Sequence, residues 1–193
     1  MENFLQQFVI LIQNFVDSNN IFISISFGVL AIVLESIIPA LPLAVFIAIN
    51  TVAFGNILGF IISWLATVLG CSISFYICRK LSNLVRKKYQ KNFKIMHFIS
   101  MVDEIKFSSL CLILAMPFTP AFSVNIAAGL SRMKYKKYLI ALLISKSFIV
   151  YFWGYVGSNI LINITDIKLL IKMIVVIVII FVISKIVTKK FNL

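Results

Sequence analysis

The first 78 residues of this 193-residue chain contain no lysine or arginine, although the whole carries 18 of them and a net charge of +12. A nucleic-acid-binding domain would spread such charge over a water-soluble surface with stacking aromatics. Here the charge only punctuates apolar stretches of membrane-spanning length, so no nucleic-acid partner is expected. Carboxylates number six and form no cluster suited to magnesium. The single histidine, His97, lies in a basic segment. With no P-loop, no H-E-x-x-H and no serine, histidine and acid set, nothing marks the chain as an enzyme or calls for a cofactor. Cys71, Cys78 and Cys111 are odd in number and lack C-x-x-C spacing, so neither disulfides nor a metal site is expected. Cys71 and Cys78 share a helix face, as seven-residue spacing dictates, and read as small packing groups. No basic region precedes the first apolar stretch and no small-residue cleavage site closes it, so a removable signal peptide is not expected.

What the chain has is apolar residue: 62% of it is hydrophobic, 12% is charged, and the mean hydropathy is +1.08. One soluble core of this length cannot hide so much apolar surface, and lipid is the natural solvent. Residues 1–20, with Gln6, Gln7, Gln13 and Asn14 among apolar neighbours, read as an interfacial segment. Residues 21–162 form the membrane domain. Within it Ile21 to Asn50 is apolar except for Glu35 and too long for one straight span, and Asn56 to Cys78 has the length of a crossing helix. Residues 79–106 hold eight basic and two acidic side chains and read as a basic cytoplasmic linker, a helix or pair of helices on an anionic surface. Phe107 to Ser131 is again uncharged and is followed by Arg132, Lys134, Lys136 and Lys137. Leu139 to Ile162 is the next span. Residues 163–193 supply a last transmembrane helix and a basic tail.

The four prolines form two pairs of equal spacing, Pro39-Ala-Leu-Pro42 and Pro117-Phe-Thr-Pro120, 78 residues apart. A solvated polyproline ligand is the plain alternative, but these flanks belong in lipid. Proline breaks helices, and in lipid the freed backbone groups must be sheltered by protein or by water in a cavity. Paired breaks in matching halves predict an all-α integral membrane fold, an inverted repeat with two proline-containing re-entrant hairpins plus spanning helices. Charge supplies an independent check. If Phe107 to Ser131 crossed, the two basic clusters flanking it would lie on opposite faces; if it turns back, every basic cluster falls on the cytoplasmic side.

Glu35 is the one carboxylate in the apolar stretches. An ionised group at the bilayer centre costs about 2.5–3.5 kcal/mol on insertion scales, so Glu35 should face the protein interior or a wet cavity, where proton coupling would run through it. A helix-end position at the interface is the alternative. Lys146 is its basic counterpart, either a partner for Glu35, a contact for lipid phosphate, or a side chain that snorkels to the cytoplasmic face. Asn125, with Gly129 nearby, follows the second proline pair and offers polar groups to a head group. Trp64, Tyr151, Trp153 and Tyr155 read as packing or interfacial aromatics. Arg79 reads as the cap of a span.

These residues carry a family resemblance. Glu35-Ser-Ile-Ile-Pro39-Ala-Leu-Pro42, then Gly59, Gly70, Phe75 and Arg79, then Pro117-Phe-Thr-Pro120, Asn125, Ala128-Gly129-Leu-Ser and Tyr138, then Lys146 and Gly157 resemble the DedA superfamily. Its members are also called VTT-domain or SNARE-associated Golgi proteins, and the bacterial Tvp38-like branch is the nearer one. The resemblance implies two facing re-entrant hairpins and movement of lipids between leaflets of the bacterial plasma membrane, as a flippase or scramblase for phospholipid or phosphate-bearing carrier lipid. It implies that Glu35, Pro39, Pro42, Pro117, Pro120, Asn125 and Gly129 serve the transport path, to which the residue-level reading adds Lys146. Two departures stand out. Leu43 and Ala44 stand where many members have a second acid, and Leu114 where they have an arginine. Other expectations are a proton-coupled transporter of a small solute or cation, and a non-transporting membrane protein that organises envelope enzymes through its basic linker. Membrane lipids are the expected partners, and a homo-oligomer is compatible with the sequence.

Overall fold

The computed structural model describes residues 21–38, 43–89, 91–117 and 121–162, together with 171–172, 174–179, 181–182 and 185 of the last apolar stretch. The interfacial segment 1–20, Pro39, Pro42, Pro120 and most of residues 163–193 lie outside them. The helices are α1 (Ile21–Ile37), α2 (Leu43–Tyr89), α3 (Phe93–Glu104), α4 (Phe107–Ala115), α5 (Ala121–Leu130) and α6 (Tyr135–Ile162). The described part of the last stretch is helical too, and no strand occurs among the described residues.

In an apolar medium a backbone amide has no water to turn to, so long apolar runs close their hydrogen bonds internally as helices. The hydroxyls within these runs follow the same rule. Ser36, Thr51, Thr67 and Ser72 each donate to the carbonyl four residues earlier, at 2.7–2.9 Å. The short basic-segment helix α3 starts differently, on Asn92, whose side chain accepts from the Ile95 amide at 3.3 Å.

α2 is not one rod. Gly55 stands at φ 78°, ψ 170°, a conformation open almost only to glycine. The bend there is sharp enough for Asn50 Nδ2 to donate to Ser63 Oγ at 3.1 Å. An unbroken helix would hold residues thirteen apart at roughly 20 Å. Gly59 makes the bend possible from the other limb, because its missing side chain leaves room for the backbone of Asn50 and Thr51. The limb after Gly55, α2b (residues 56–89), is continuous through Arg79 to Tyr89, about 50 Å of helix. Residues 79–106, expected to be a helix or pair of helices, hold the end of α2b, because nothing between Cys78 and Tyr89 breaks the hydrogen-bond ladder, and the separate helix α3.

α1 packs on both limbs of α2: Gly28 faces the Asn50 side chain and Gly70 faces Val33 and Ser36. α6 packs along α2, with Gly154 against Thr51, Gly157 against Ala48 and Trp64 Nε1 donating to the Leu143 carbonyl at 3.1 Å. α4 lies on α6, where Ser145 Oγ donates to the Cys111 carbonyl at 2.8 Å. α5 lies on α2b, with Gly129 against Phe75 and Cys78. The start of α4 and the end of α5 lie near one another. The Arg132 amide donates to the Asp103 carboxylate, and Lys137 Nζ donates to the Ile105 carbonyl at 2.6 Å. The basic residues before α4 and those after α5 consequently sit together.

Burial is the reverse of a soluble protein's. Ile57, Phe148 and Tyr151 are among the most exposed side chains at 76%, 66% and 68%. Asn50, Ser63, Thr67, Asn125, Ser145 and Lys146 are buried. Two apolar clusters lie among them, one around Phe75, Leu110, Leu114 and Tyr138, the other around Ile32, Ile47, Ala66 and Val150. An apolar exterior around a polar-dotted interior suits lipid as the surrounding solvent.

Candidate functional site

Two groups of polar side chains occupy the interior. The first joins α2b, α5 and α6. Tyr138 Oη donates to Asn125 Oδ1 at 2.9 Å and lies 3.5 Å from the Cys71 carbonyl, while Asn125 Nδ2 donates to Cys71 Sγ at 3.2 Å. Tyr138 is fully buried, and its ring stacks on Phe75 at 4.7 Å. Tyr138 and Asn125 thus satisfy one another, as an apolar setting requires, whereas the buried Nε of Arg79 has no hydrogen-bond partner. Asn125 stands four residues before Gly129 and shares its helix face. Gly129 brings that face close enough to α2b for the bond to Cys71 to form.

Arg79 closes the basic end of this group. Its Nη2 donates to the carbonyls of Met133 at 2.6 Å and Ala128 at 3.3 Å, and its guanidinium carbon lies 4.8 Å from the Phe75 ring centre. Rather than capping its own helix, Arg79 ties the end of α5 and the connection into α6 to α2b. Both bonds leave one nitrogen while the guanidinium lies over the Phe75 ring, a stacked arrangement that suits the planar arginine side chain.

The second group holds the charges. Lys146 is 3% exposed, so it does not snorkel to the surface. It lies within electrostatic reach of the half-buried Glu35 of α1. The adjacent Ser145 is tied to α4, and Asn50, Ser63 and Thr67 line the bend of α2.

The predicted residues are thus distributed as follows. Asn125, Gly129 and Lys146 are interior, Glu35 is half-buried facing Lys146, and Pro117 is a half-buried turn residue after α4. Pro39, Pro42 and Pro120 lie outside the described residues. Trp64 packs, stacking with Phe60, and Tyr151 and Tyr155 face outward. Sequence reasoning missed Asn50, Ser63 and Thr67. The signal was available: Ser63 and Thr67 are four apart within an otherwise apolar run, the spacing of one helix face.

Comparison with known proteins agrees with the resemblance. The VTT domain matches residues 26–159. The Bacillus subtilis uncharacterized membrane protein YhjE is 31% identical over 144 residues, covering 72% of this chain and 68% of that protein. The Bacillus subtilis uncharacterized protein YqeD is 27% identical over 124 residues, covering 64% and 60% respectively. No solved structure matches significantly. The chain belongs to the VTT-domain family and is a membrane protein.

Proposed function

We propose that this VTT-domain membrane protein is a lipid transporter, a flippase or scramblase that moves phospholipid or phosphate-bearing carrier lipid between the leaflets of a bacterial plasma membrane. The observation that carries the proposal is the burial of Lys146 beside the Glu35 interface, inside a helix assembly whose outer face is apolar. A cation is costly there unless it meets a counter-charge, and a phosphate head group is one such counter-charge.

In this reading α4, the second proline pair and α5 form a hairpin re-entering from the cytoplasmic face. Nine and ten helical residues reach about 14–15 Å, roughly half of a 30 Å hydrocarbon layer. The pairing of Asp103 with Arg132 supports that return. α1, the first proline pair and the limb of α2 before Gly55 form the opposed hairpin, and the packing of Gly28 on Asn50 supports it. The head group travels between the hairpins past Lys146 and Asn125 while its acyl chains remain in the bilayer. Both basic clusters and the C-terminus are cytoplasmic.

Purified protein in vesicles loaded with fluorescent phosphatidylethanolamine, phosphatidylglycerol or polyprenyl phosphate tests this. Leaflet exchange should exceed that of empty vesicles, and Lys146→Met should remove the excess. Exchange no faster than in empty vesicles for every one of these lipids would refute the proposal.

The reach of Lys146 to Glu35 also favours a second reading, a proton-coupled transporter of a small solute or cation. Transport that survives Glu35→Gln and collapse of the proton gradient would eliminate it.

A further inference from the structure

A cavity of about 220 Å³ lies between α3, α4 and α5, at the basic end of the molecule and apart from the Lys146 and Asn125 groups. Its walls are Val102, Ile105, Ile113 and Val124, and its polar lining consists of Lys106 and Ser109. A single water needs roughly 10–15 Å³ of the same kind of space and two or more polar partners. The cavity is far larger than that and almost wholly apolar, so it suits a hydrocarbon chain better than solvent. Ser109 and Ile113 are the α4 residues that line it; a leucine in place of the small Ser109 would fill part of the space.

The surroundings identify the occupant. α4 also carries the exposed Phe107 and Leu112, which flank its cavity-lining face on opposite sides. Lys106 is exposed at the mouth, and its side chain makes no cap to α4. Lys137 Nζ sits on the Ile105 carbonyl at the cavity wall. Of the nearby acids, Asp103 is engaged with the Arg132 amide and Glu104 points outward. An apolar slot with an exposed cation at its mouth, at the level where a hairpin would meet the inner leaflet, complements a lipid with an anionic head.

We propose that this cavity holds one acyl chain of a resident anionic glycerophospholipid, its phosphate at Lys106, and that this lipid joins α3 to the α4–α5 hairpin without being transported. The proposal rests on lipid retention and not on leaflet exchange, so its failure would leave the transport proposal standing.

Native mass spectrometry of the full chain with phosphatidylglycerol, phosphatidylcholine or oleate tests it. One phosphatidylglycerol should stay bound per chain at detergent levels that strip phosphatidylcholine. Ser109→Phe should reduce that retention about tenfold. Lys106→Gln, a change on an exposed side chain that does not endanger folding, should erase the preference for phosphatidylglycerol over phosphatidylcholine. Equal retention of both phospholipids by the unaltered chain, or an undiminished preference in Lys106→Gln, would reduce the cavity to ordinary annular contact and overturn the proposal. Retention of oleate in place of phosphatidylglycerol would overturn it as well.

Discussion

The backbone amide of Arg132 donates to the carboxylate of Asp103, 29 residues earlier in the chain. Two helices of nine and ten residues lie between them. Helices of that length cannot cross a bilayer singly and return to their starting point only by reversing. In a chain whose natural cysteines are replaced, Asp103→Cys with Arg132→Cys should cross-link rapidly under mild oxidation. If the two positions react only with reagents applied from opposite sides of the membrane, the reversal is wrong.

Tyr138 and Asn125 are both buried and satisfy one another. Tyr138→Phe keeps the ring on Phe75 but strands the Asn125 oxygen, at a cost of about 1–3 kcal/mol. Thermal unfolding in detergent should register this loss, and the double variant with Asn125→Leu should recover part of it. Strict additivity of the two changes would show that the hydrogen bond contributes nothing.

Gly129 admits no side chain without movement, since an added Cβ would stand 2.6 Å from the Cys78 Cβ and 2.7 Å from the Phe75 carbonyl. Gly129→Leu should push α5 off α2b, lowering stability by about 1–3 kcal/mol. Cys71 and Cys78 should then react faster with maleimide. Unchanged labelling would mean that α5 does not depend on this contact.

Gly55 is different, because an added Cβ there meets nothing within 4 Å. Its requirement is conformational, so Gly55→Ala should cost about 1–3 kcal/mol through the backbone alone. Asn or Asp at this position should do no better than Ala, because the observed ψ lies outside the left-handed helical region they tolerate. Wild-type melting behaviour in Gly55→Ala would contradict the bend.

Glu35 and Lys146 should behave as a coupled pair. Neutralising one leaves the other charge inside the protein, which costs roughly 3–5 kcal/mol for a fully buried pair and less here because Glu35 is only half-buried. Glu35→Gln with Lys146→Met should therefore unfold at a higher temperature than Lys146→Met alone.

The sequence made the second half of the protein more legible than the first. The uncharged stretch between two basic clusters gives the expectation of a turn back, because charge asymmetry is a long-range constraint written directly in composition, and the bond from the Arg132 amide to Asp103 is compatible with it. The sharp bend at Gly55 was not foreseen. Glycine is common in packed membrane helices, and only its backbone angle distinguishes a break from a close approach. The extension of α2b beyond Arg79 was hidden for a related reason. A run of basic residues marks where a helix leaves lipid, and says nothing about where its hydrogen bonds stop. Arg79 itself was read as a cap, because its two carbonyl acceptors come from residues about fifty positions away.

The unbroken course of α2b from Asn56 to Tyr89 has a mechanical consequence. Its last turns, with Lys87 and Lys88, form a stiff handle on the same rod that bears Cys71, Phe75 and Arg79. A pull or twist applied to that handle is carried along the rod to the residues on which Asn125 and Gly129 are seated.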